Sequence, residues 1–297
     1  MHLFELALSR EFRGRSGVPE WALGCFRRRC ITYFDGTCDA STQVVWLQSR
    51  GLTLDYRFPV VRDSDPVLRA EHTEAGAAHT RWDGTHMSWQ DWSAFQTHAR
   101  WPEPGRLTRV GDCLIEFAPS GAYVEDWRAQ PPGTGPLIGL ELVEERARDS
   151  GAVLHRGGAL VVCGEHAGFV RGRTQPLPEG RIADFVAKNR GNAAALQAVF
   201  GFDASYARWN GDADVFRVEL ATNPEREGTS LLDLEGFDYD EATHSFVQVA
   251  RENGRDLERR FTIDTLEPVF APARGTEPSP EGRGWFERES GALLSLP

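Results

Sequence analysis

Four dipeptides that favour tight hairpin turns divide this sequence into short strand-like segments. They are Asp35-Gly36, Asp83-Gly84, Asn210-Gly211 and Asn253-Gly254. Asn-Gly and Asp-Gly readily adopt the positive φ angles that a two-residue type I′ turn requires. Because such turns join adjacent antiparallel strands, a chain divided in this way is expected to fold largely as antiparallel sheet.

The segments around these turns have the composition of β-strands. Valine, threonine and aromatic residues are frequent in them, and several alternate apolar and polar residues with a period of two. They include TQVVWLQSR (42–50), LTLDYRFPVV (52–61), ALVVCGEHAGFVRGR (159–173), DVFRVELAT (214–222) and HSFVQVAREN (244–253). One helix is predicted, over residues 181–199, and Gly191 weakens it. Many strands with little helix favour a β-sandwich or β-barrel.

One hairpin register follows directly from its turn. A two-residue turn at Asn253-Gly254 places Phe246 opposite Phe261 and Arg251 opposite Asp256. The hairpin then has one apolar face and one charged face, as expected for a half-buried sheet.

The stretch QPPGTGP, residues 130–136, is the best candidate for an internal linker. It is rich in proline and glycine and has no hydrophobic periodicity. It predicts an N-terminal domain over residues 1–132 and a C-terminal domain over 137–270. Residues 271–297 contain the polar stretch APARGTEPSPEGRG and are predicted to form a C-terminal tail.

Composition narrows the possible partners and the compartment. The chain has 297 residues and a net charge of −11, which makes it an acidic protein and disfavours nonspecific binding to nucleic acid or anionic membranes. No apolar run approaches the length of a membrane span, and the N-terminus lacks a signal-peptide pattern. The five cysteines are an odd number without a C-x-x-C pair, so a cytoplasmic protein with free thiols is expected.

The segment HTRWDGTHMSWQDW, residues 79–92, concentrates histidine and tryptophan around the Asp83-Gly84 turn. Alternation places Thr80, Trp82, Met87 and Trp89 on one apolar face, which belongs in a core or a cavity wall. The other face carries His79, His86 and, between them, Arg81. Since a cation between two imidazoles is a poor neighbour for a metal ion, we predict neither a metal site nor a haem cofactor here.

Three segments, taken in order, resemble the Hri1-like family of two-domain lipocalin-like (calycin) proteins and its bacterial relatives. The family has a strand ending in Asp-x-Arg, a His/Trp-rich strand and a Tyr-x-Glu-x-Trp-like strand, and VVCGEHAGFVRGR resembles the opening of its second half. The matching residues here are Asp55 and Arg57, then His79, Trp82 and Trp89, then Tyr123, Glu125 and Trp127. The resemblance implies an all-β chain of two antiparallel lipocalin-like barrels. It brings no catalytic residues.

The same residues are candidates for a ligand site inside the first barrel. Asp55 and Arg57 share one strand face, and Tyr123, Glu125 and Trp127 share another. Pointing inward, they form a charged and hydroxylated cluster among tryptophans, typical of a small-molecule site. Pointing outward, they are ordinary surface ion pairs. We take the ligand-contacting candidates to be Asp55, Arg57, His79, Trp82, Trp89 and Trp127.

Two functions from different classes follow from an inward cluster, and a third from its absence. The first is binding of a small apolar or aromatic molecule, with a carboxylic acid held by Arg57 as one version. The second is a cofactor-independent lyase, isomerase or cyclase, in which burial raises the pKa of Glu125 for acid–base work while Arg57 and Tyr123 act as electrophiles. The third is a protein-interaction module whose barrels are filled with side chains.

Familiar enzyme signatures are missing from the sequence. It contains no G-x-x-x-x-G-K-[ST], G-x-S-x-G or H-E-x-x-H motif, and GTGPLIG, residues 133–139, has a proline where a dinucleotide-binding helix would begin. No cofactor is therefore predicted.

Overall fold

A computed structural model describes residues 1–10, 12–13, 17–60, 65–97 and 103–294, and the fold is mostly β. The helices are α1 (Leu3–Leu8), α2 (Pro66–His72), α3 (Ile182–Lys188), α4 (Ala193–Phe200) and α5 (Pro280–Leu293), with 3₁₀ turns at Glu20–Ala22 and Pro224–Arg226. The strands of the first half are β1 (Phe12–Arg13), β2 (Gly24–Tyr33), β3 (Cys38–Asp39), β4 (Gln43–Gln48), β5 (Leu52–Phe58), β6 (Glu74–Trp82), β7 (His86–Ala94), β8 (Gly105–Val110), β9 (Cys113–Phe117) and β10 (Tyr123–Ala129). Those of the second half are β11 (Leu137–Ala147), β12 (Val153–Arg156), β13 (Gly158–Cys163), β14 (His166–Arg171), β15 (Asp203–Asn210), β16 (Val215–Ala221), β17 (Phe237–Asp240), β18 (Ser245–Glu252) and β19 (Arg255–Glu267).

The first sheet closes into an eight-stranded antiparallel barrel. Strands β2, β4, β5, β6, β7, β8, β9 and β10 pair in that order, β10 pairs back with β2, and β3 pairs with β2. The β2–β10 register shifts between Asp126 and Trp127, which leaves Arg29 without a cross-strand partner, as in a β-bulge. Bulges increase local twist and help a sheet to curl. The predicted N-terminal β-barrel is confirmed at this level.

The second sheet has ten strands, and the predicted second barrel is not confirmed. Its main order is β16-β15-β14-β13-β11-β19-β18-β17, with β12 beside β11 and β1 beside β19. Within the described ranges, the end strands β16 and β17 do not pair with each other. Residues 228–231 instead hydrogen-bond along β16, and α1 buries Leu3 and Leu6 in the core of this sheet. Residues of the predicted N-terminal domain thus complete the second sheet.

The outer wall of the barrel packs against the second sheet, and this contact fixes which residues face the barrel interior. Leu54 and Tyr56 of β5 are fully buried in a core shared by both sheets. A Cβ on Gly168 of β14 would come within 2.5 Å of Tyr56 Oη, so only glycine allows this close approach. Because side chains alternate along a strand, Asp55 and Arg57 point to the opposite side, into the barrel.

Three of the four predicted hairpin dipeptides lie between paired antiparallel strands. At the fourth, Asn210 is still part of β15 and pairs with Val215, so the turn lies at residues 211–214. At Asn253-Gly254 both residues have positive φ, and the pairs Phe246–Phe261 and Arg251–Asp256 are confirmed. A two-residue turn at Asp83-Gly84 predicts that Trp82 pairs with Thr85, and this register is wrong by two residues, since Trp82 pairs with Met87. The Asp83 carboxylate accepts hydrogen bonds from the backbone N–H groups of Thr85 and His86. The turn therefore spans residues 83–86, and its centre lies one residue later than predicted. A two-residue shift preserves the assignment of faces.

The helical segment differs from the single predicted helix. The chain forms α3 and α4, separated around Gly191, whose φ of 86° no helix accommodates. The structure also contains α1, α2 and α5, which were not predicted. Helix α5 lies in the predicted tail and buries no side chain, while Arg274 ties the preceding residues to Asp112 of the barrel.

The predicted linker is packed rather than free. The carbonyl oxygen of Pro132 accepts a hydrogen bond from Glu165 N at 2.6 Å, and that of Pro136 accepts one from Gly164 N at 2.9 Å. Residues 130–136 therefore hold the β13–β14 turn against the junction of the two sheets.

Candidate functional site

The interior of the barrel brings together residues from four strands. Asp55 and Arg57 come from β5, Glu116 from β9, Glu125 and Trp127 from β10 and Arg28 from β2. Their strands alternate inward-facing and outward-facing positions, so one inward-facing set meets across the barrel. The structure thus places Asp55, Arg57, Tyr123, Glu125 and Trp127 in one cluster, as the strand faces suggested.

Ion pairs occupy the guanidinium groups of this cluster. Arg57 Nε lies 2.8 Å from Asp55 Oδ1, and Arg57 Nη1 lies 3.6 Å from Glu125 Oε1. Arg28 lies 2.6 Å from Glu125 and 3.0 Å from Asp39. Burial lowers the pKa of Arg57, but the charges of Asp55, Glu125 and its cross-strand neighbour Glu74 outweigh burial and hold that pKa well above its ordinary value.

Glu116 is the carboxyl group of the cluster with an abnormal pKa. Its oxygens accept hydrogen bonds from Tyr123 Oη at 3.3 Å and Trp127 Nε1 at 3.2 Å. It lies directly opposite Glu125 in the β9–β10 ladder. Burial, followed by the charge of Glu125, raises the pKa of Glu116 to about 8, although Arg57 opposes the shift. Near neutral pH this carboxyl group is therefore mostly protonated.

A cavity of about 160 Å³ lies beside these charges. Four tryptophans contribute to its wall: Trp46, Trp89, Trp92 and Trp127. The remaining lining residues are Thr53, Asp55, Arg57, Glu74, Ala75, Gly76, Ala94, Gln96, Thr97, Glu116 and Tyr123. The chamber therefore combines five large aromatic side chains with several polar and charged groups, and small-molecule pockets likewise join apolar walls to placed polar groups.

The indole N–H groups of the wall differ in their hydrogen bonds. Trp46 Nε1 donates to Gln48 Oε1 at 3.1 Å, and Trp127 Nε1 donates to Glu116. Trp89 Nε1 is buried and has no acceptor among the described residues. A buried donor without an acceptor costs about 1–3 kcal/mol. Because Trp89 lines the cavity, an acceptor inside the cavity would remove this cost.

Two of the six predicted ligand-contacting residues lie away from the cavity. The His79 side chain is 43% exposed and contacts Asp91 at 3.4 Å and Glu141 at 3.2 Å on the outside of the barrel. Trp82 packs edge-on against Trp21, with ring centroids 5.8 Å apart. Neither residue lines the chamber, whereas Asp55, Arg57, Trp89 and Trp127 do.

Glu125, the residue predicted for acid–base work, lies in an ion-pair cluster. Its side chain is 2% exposed and contacts the guanidinium groups of Arg28 and Arg57. The carboxyl group with the raised pKa is Glu116, which lies within LIEFAPSGAYVEDW but was not among the predicted site residues. A hairpin turn at Ser120-Gly121 would have placed Glu116 opposite Glu125, and two facing glutamates in a buried ladder are the signal that was missed.

A second charged cluster lies within the second sheet. Arg259, which is fully buried, contacts Glu145 at 2.5 Å, Glu252 at 2.6 Å and the side-chain oxygen of Gln248 at 2.9 Å. Arg171 contacts Glu145 at 3.4 Å, Glu252 at 3.2 Å and also Asp203. Each of the three carboxylates, Glu145, Glu252 and Asp203, thus has at least one guanidinium partner. Burial raises their pKa values, but the charges of the arginines outweigh burial, so all three pKa values are lowered.

Within the ranges that the structure describes, no group of three or more His, Cys, Asp or Glu residues is arranged to hold a metal ion. No helix in the same ranges has the length and apolar character needed to cross a membrane. The five cysteines are free thiols, and Cys25 and Cys163 are buried.

Comparison of the chain with protein-family models, with curated proteins and with solved structures found no match. The resemblance to the Hri1-like family therefore stays a prediction. What the chain does has to be argued from the chamber itself.

Proposed function

We propose that the N-terminal eight-stranded barrel is lipocalin-like and that it binds one small apolar or aromatic molecule. The observation that carries this proposal is the chamber of about 160 Å³ between four tryptophans. Protein interiors are normally packed without voids of this size. A barrel that serves only as an interaction module has no need to keep one.

The size of the chamber limits the ligand to about one ring. An engineered cavity of about 150 Å³ in another protein binds benzene, so a cavity of this size accommodates a single aromatic ring with a small substituent. The Trp89 indole adds a polar requirement, because its buried N–H lacks an acceptor in the described chain. A ligand that carries an oxygen would satisfy this donor.

The test is calorimetric titration of the full chain with benzyl alcohol, supported by tryptophan fluorescence. We expect one site with a Kd between about 10 μM and 1 mM, since so few ligand atoms limit affinity. Ala94 lies opposite Gly76 on the inward face, so Ala94→Leu should fill the chamber and weaken binding about tenfold or more.

The matched control is Ala242→Leu, which makes the same change at an exposed turn of the second sheet and should leave the Kd unchanged. Absence of binding by the wild-type chain at about 10 mM ligand, or equal binding by Ala94→Leu, contradicts the proposal.

Catalysis in the same chamber is the second candidate, favoured by Glu116. A carboxyl group with a pKa of about 8, hydrogen-bonded to the Tyr123 hydroxyl, is suited to donate or accept a proton near neutral pH. This supports a cofactor-independent lyase, isomerase or cyclase that uses Glu116 where Glu125 was predicted. The expected signature is turnover of a bound compound, followed by NMR, that Glu116→Gln abolishes while binding persists.

A further inference from the structure

We infer that the ligand of the barrel chamber is a small organic cation, such as a protonated amine on an aromatic or apolar body, and not a carboxylic acid. This inference rests on the proposed function, because it assigns a charge to the ligand of the same chamber. It depends on the charge balance of the wall, the aromatic residues beside those charges and the state of Glu116.

The charges around the chamber are predominantly negative. Arg57 is the guanidinium group of the lining, and it is shared by Asp55, Glu125 and Glu74. Behind it, Arg28 is shared by Glu125 and Asp39. Among the residues that the structure describes, two guanidinium groups thus face five carboxyl groups, which are Asp39, Asp55, Glu74, Glu116 and Glu125.

This balance works against the carboxylate ligand considered from the sequence. To hold a carboxylate, Arg57 would have to give up contacts with Asp55 and Glu125, which are already buried beside it. Removing a guanidinium from a buried carboxylate leaves an uncompensated charge, a change that costs several kcal/mol in proteins. An anion would also enter a site where like charges repel it.

The aromatic part of the wall suits a cation. Trp46 and Trp127 meet edge to face with ring centroids 5.6 Å apart, and Trp89 and Trp92 complete the tryptophan wall. Indole rings attract ammonium groups through their negative faces, and the attraction is strongest where water is excluded. Tryptophans around a carboxyl group are a common way to bind an alkylated or protonated amine.

Glu116 can supply the negative charge that pairs with a bound ammonium group. Buried opposite Glu125, and with Arg57 and the Tyr123 hydroxyl also facing it, it keeps its proton in the empty chamber up to a pH of about 8. An ammonium group in the chamber favours the ionised carboxylate. The proton then passes from Glu116 to the buffer, and the ammonium–carboxylate pair replaces the neutral acid.

Three ligands of nearly equal size test the inference on the full chain at pH 7: benzylamine, which is protonated, benzyl alcohol, which is neutral, and benzoate. We expect benzylamine to bind about tenfold or more tightly than benzyl alcohol, and benzoate more weakly than either. Equal binding of the three, or a preference for benzoate, overturns the inference and leaves the proposed function standing. Failure of all three to bind removes both.

Glu116→Gln separates the charge from the shape of the site. The variant should bind benzyl alcohol within about threefold of the wild-type Kd, which also shows that it is folded, but should lose the preference for benzylamine. Glu225→Gln makes the same change at an exposed position and should keep the preference. Retention of the preference by Glu116→Gln contradicts the role given to Glu116.

A measurement on the wild-type chain avoids any dependence on the variants. In calorimetry with two buffers of different ionisation enthalpy, benzylamine binding at pH 7 should release about one proton per site, and benzyl alcohol binding should release none. Benzylamine affinity should therefore rise as the pH increases from 6 to 8, a range in which benzylamine stays protonated. Binding without proton release, and with an affinity independent of pH, overturns the inference.

Discussion

The barrel and the second sheet each bury a cluster of arginines and carboxyl groups, but the two clusters are completed differently. In the second sheet, Arg171 and Arg259 bridge Glu145 and Glu252, so that each charge has a partner within the protein. In the barrel, Glu116 accepts hydrogen bonds from the Tyr123 O–H and the Trp127 N–H, forms no ion pair with a described residue and remains mostly protonated near neutral pH.

The difference supports a structural role for the cluster of the second sheet and agrees with the ligand-binding role proposed for the barrel cluster. Buried charges that are fully paired within the protein fix a unique packing and need nothing further. A carboxyl group kept neutral by burial, beside a chamber, is in the state in which a ligand can change its charge. The two arginine–carboxylate clusters of this chain are therefore expected to differ in role, and the incomplete one is the candidate site.

The largest effect should come from breaking the complete cluster. Arg259→Met leaves Arg171 as the guanidinium partner of Glu145 and Glu252 among the described residues, and we expect the free energy of unfolding to fall by about 3–5 kcal/mol. Denaturant unfolding measures this loss. Arg251→Met provides the matched control, because Arg251 pairs with Asp256 at 3.8 Å on the surface and should change stability by less than about 0.5 kcal/mol. Similar losses in both variants would show that the buried cluster is not structural.

A smaller effect, with a particular pH dependence, is expected from the incomplete cluster. The folded-state pKa of Glu116, about 8, lies above its ordinary value of 4.5, so folding takes up a proton between these pH values. The stability that this proton uptake provides is complete below pH 4.5 and is lost as the pH rises through 8.

From pH 6 to pH 8, the wild-type chain should therefore lose about 2 kcal/mol relative to Glu116→Gln, which carries no titrating group there. Unfolding curves at several pH values measure the difference. Glu225→Gln should follow the wild type throughout. Parallel pH profiles for the wild type and Glu116→Gln would mean that Glu116 is already ionised, and that the barrel cluster resembles that of the second sheet.

Local turn chemistry explains how much of the fold the sequence predicts. The Asn253-Gly254 hairpin was predicted to the residue pair, because both residues adopt the positive φ angles of a type I′ turn. The Asp83-Gly84 hairpin was shifted by the Asp83 side chain, an effect that the dipeptide alone does not show. Barrel closure between β2 and β10, and the contribution of α1 to the second sheet, depend on contacts between distant segments and have no local signal.

The site was predictable to a similar extent. Alternation placed Asp55 with Arg57, and Tyr123 with Glu125, on common faces, and the inward direction followed only once Tyr56 packed against Gly168 of the second sheet. The role of Glu116 depends on a cross-strand register and on burial by four strands. Residue identity gives neither the register nor the burial. It shows only a glutamate in an apolar strand and does not indicate whether that glutamate is protonated.

The smallest effects compare two indoles of the same chamber. Trp127 donates to Glu116, whereas Trp89 has no acceptor in the described chain. Both Trp→Phe changes remove similar ring volume, so the hydrogen bond should make Trp127→Phe costlier than Trp89→Phe by about 1 kcal/mol in unfolding free energy.

Because the Trp127 N–H lowers the pKa of Glu116, its loss should move the pH at which stability falls upward, and Trp89→Phe should leave that pH unchanged. Trp89→Phe should instead weaken benzyl alcohol binding, since it removes the donor available to the ligand oxygen. If both variants shifted the pH profile equally, the Glu116 proton would not depend on the Trp127 hydrogen bond, and burial alone would set its pKa.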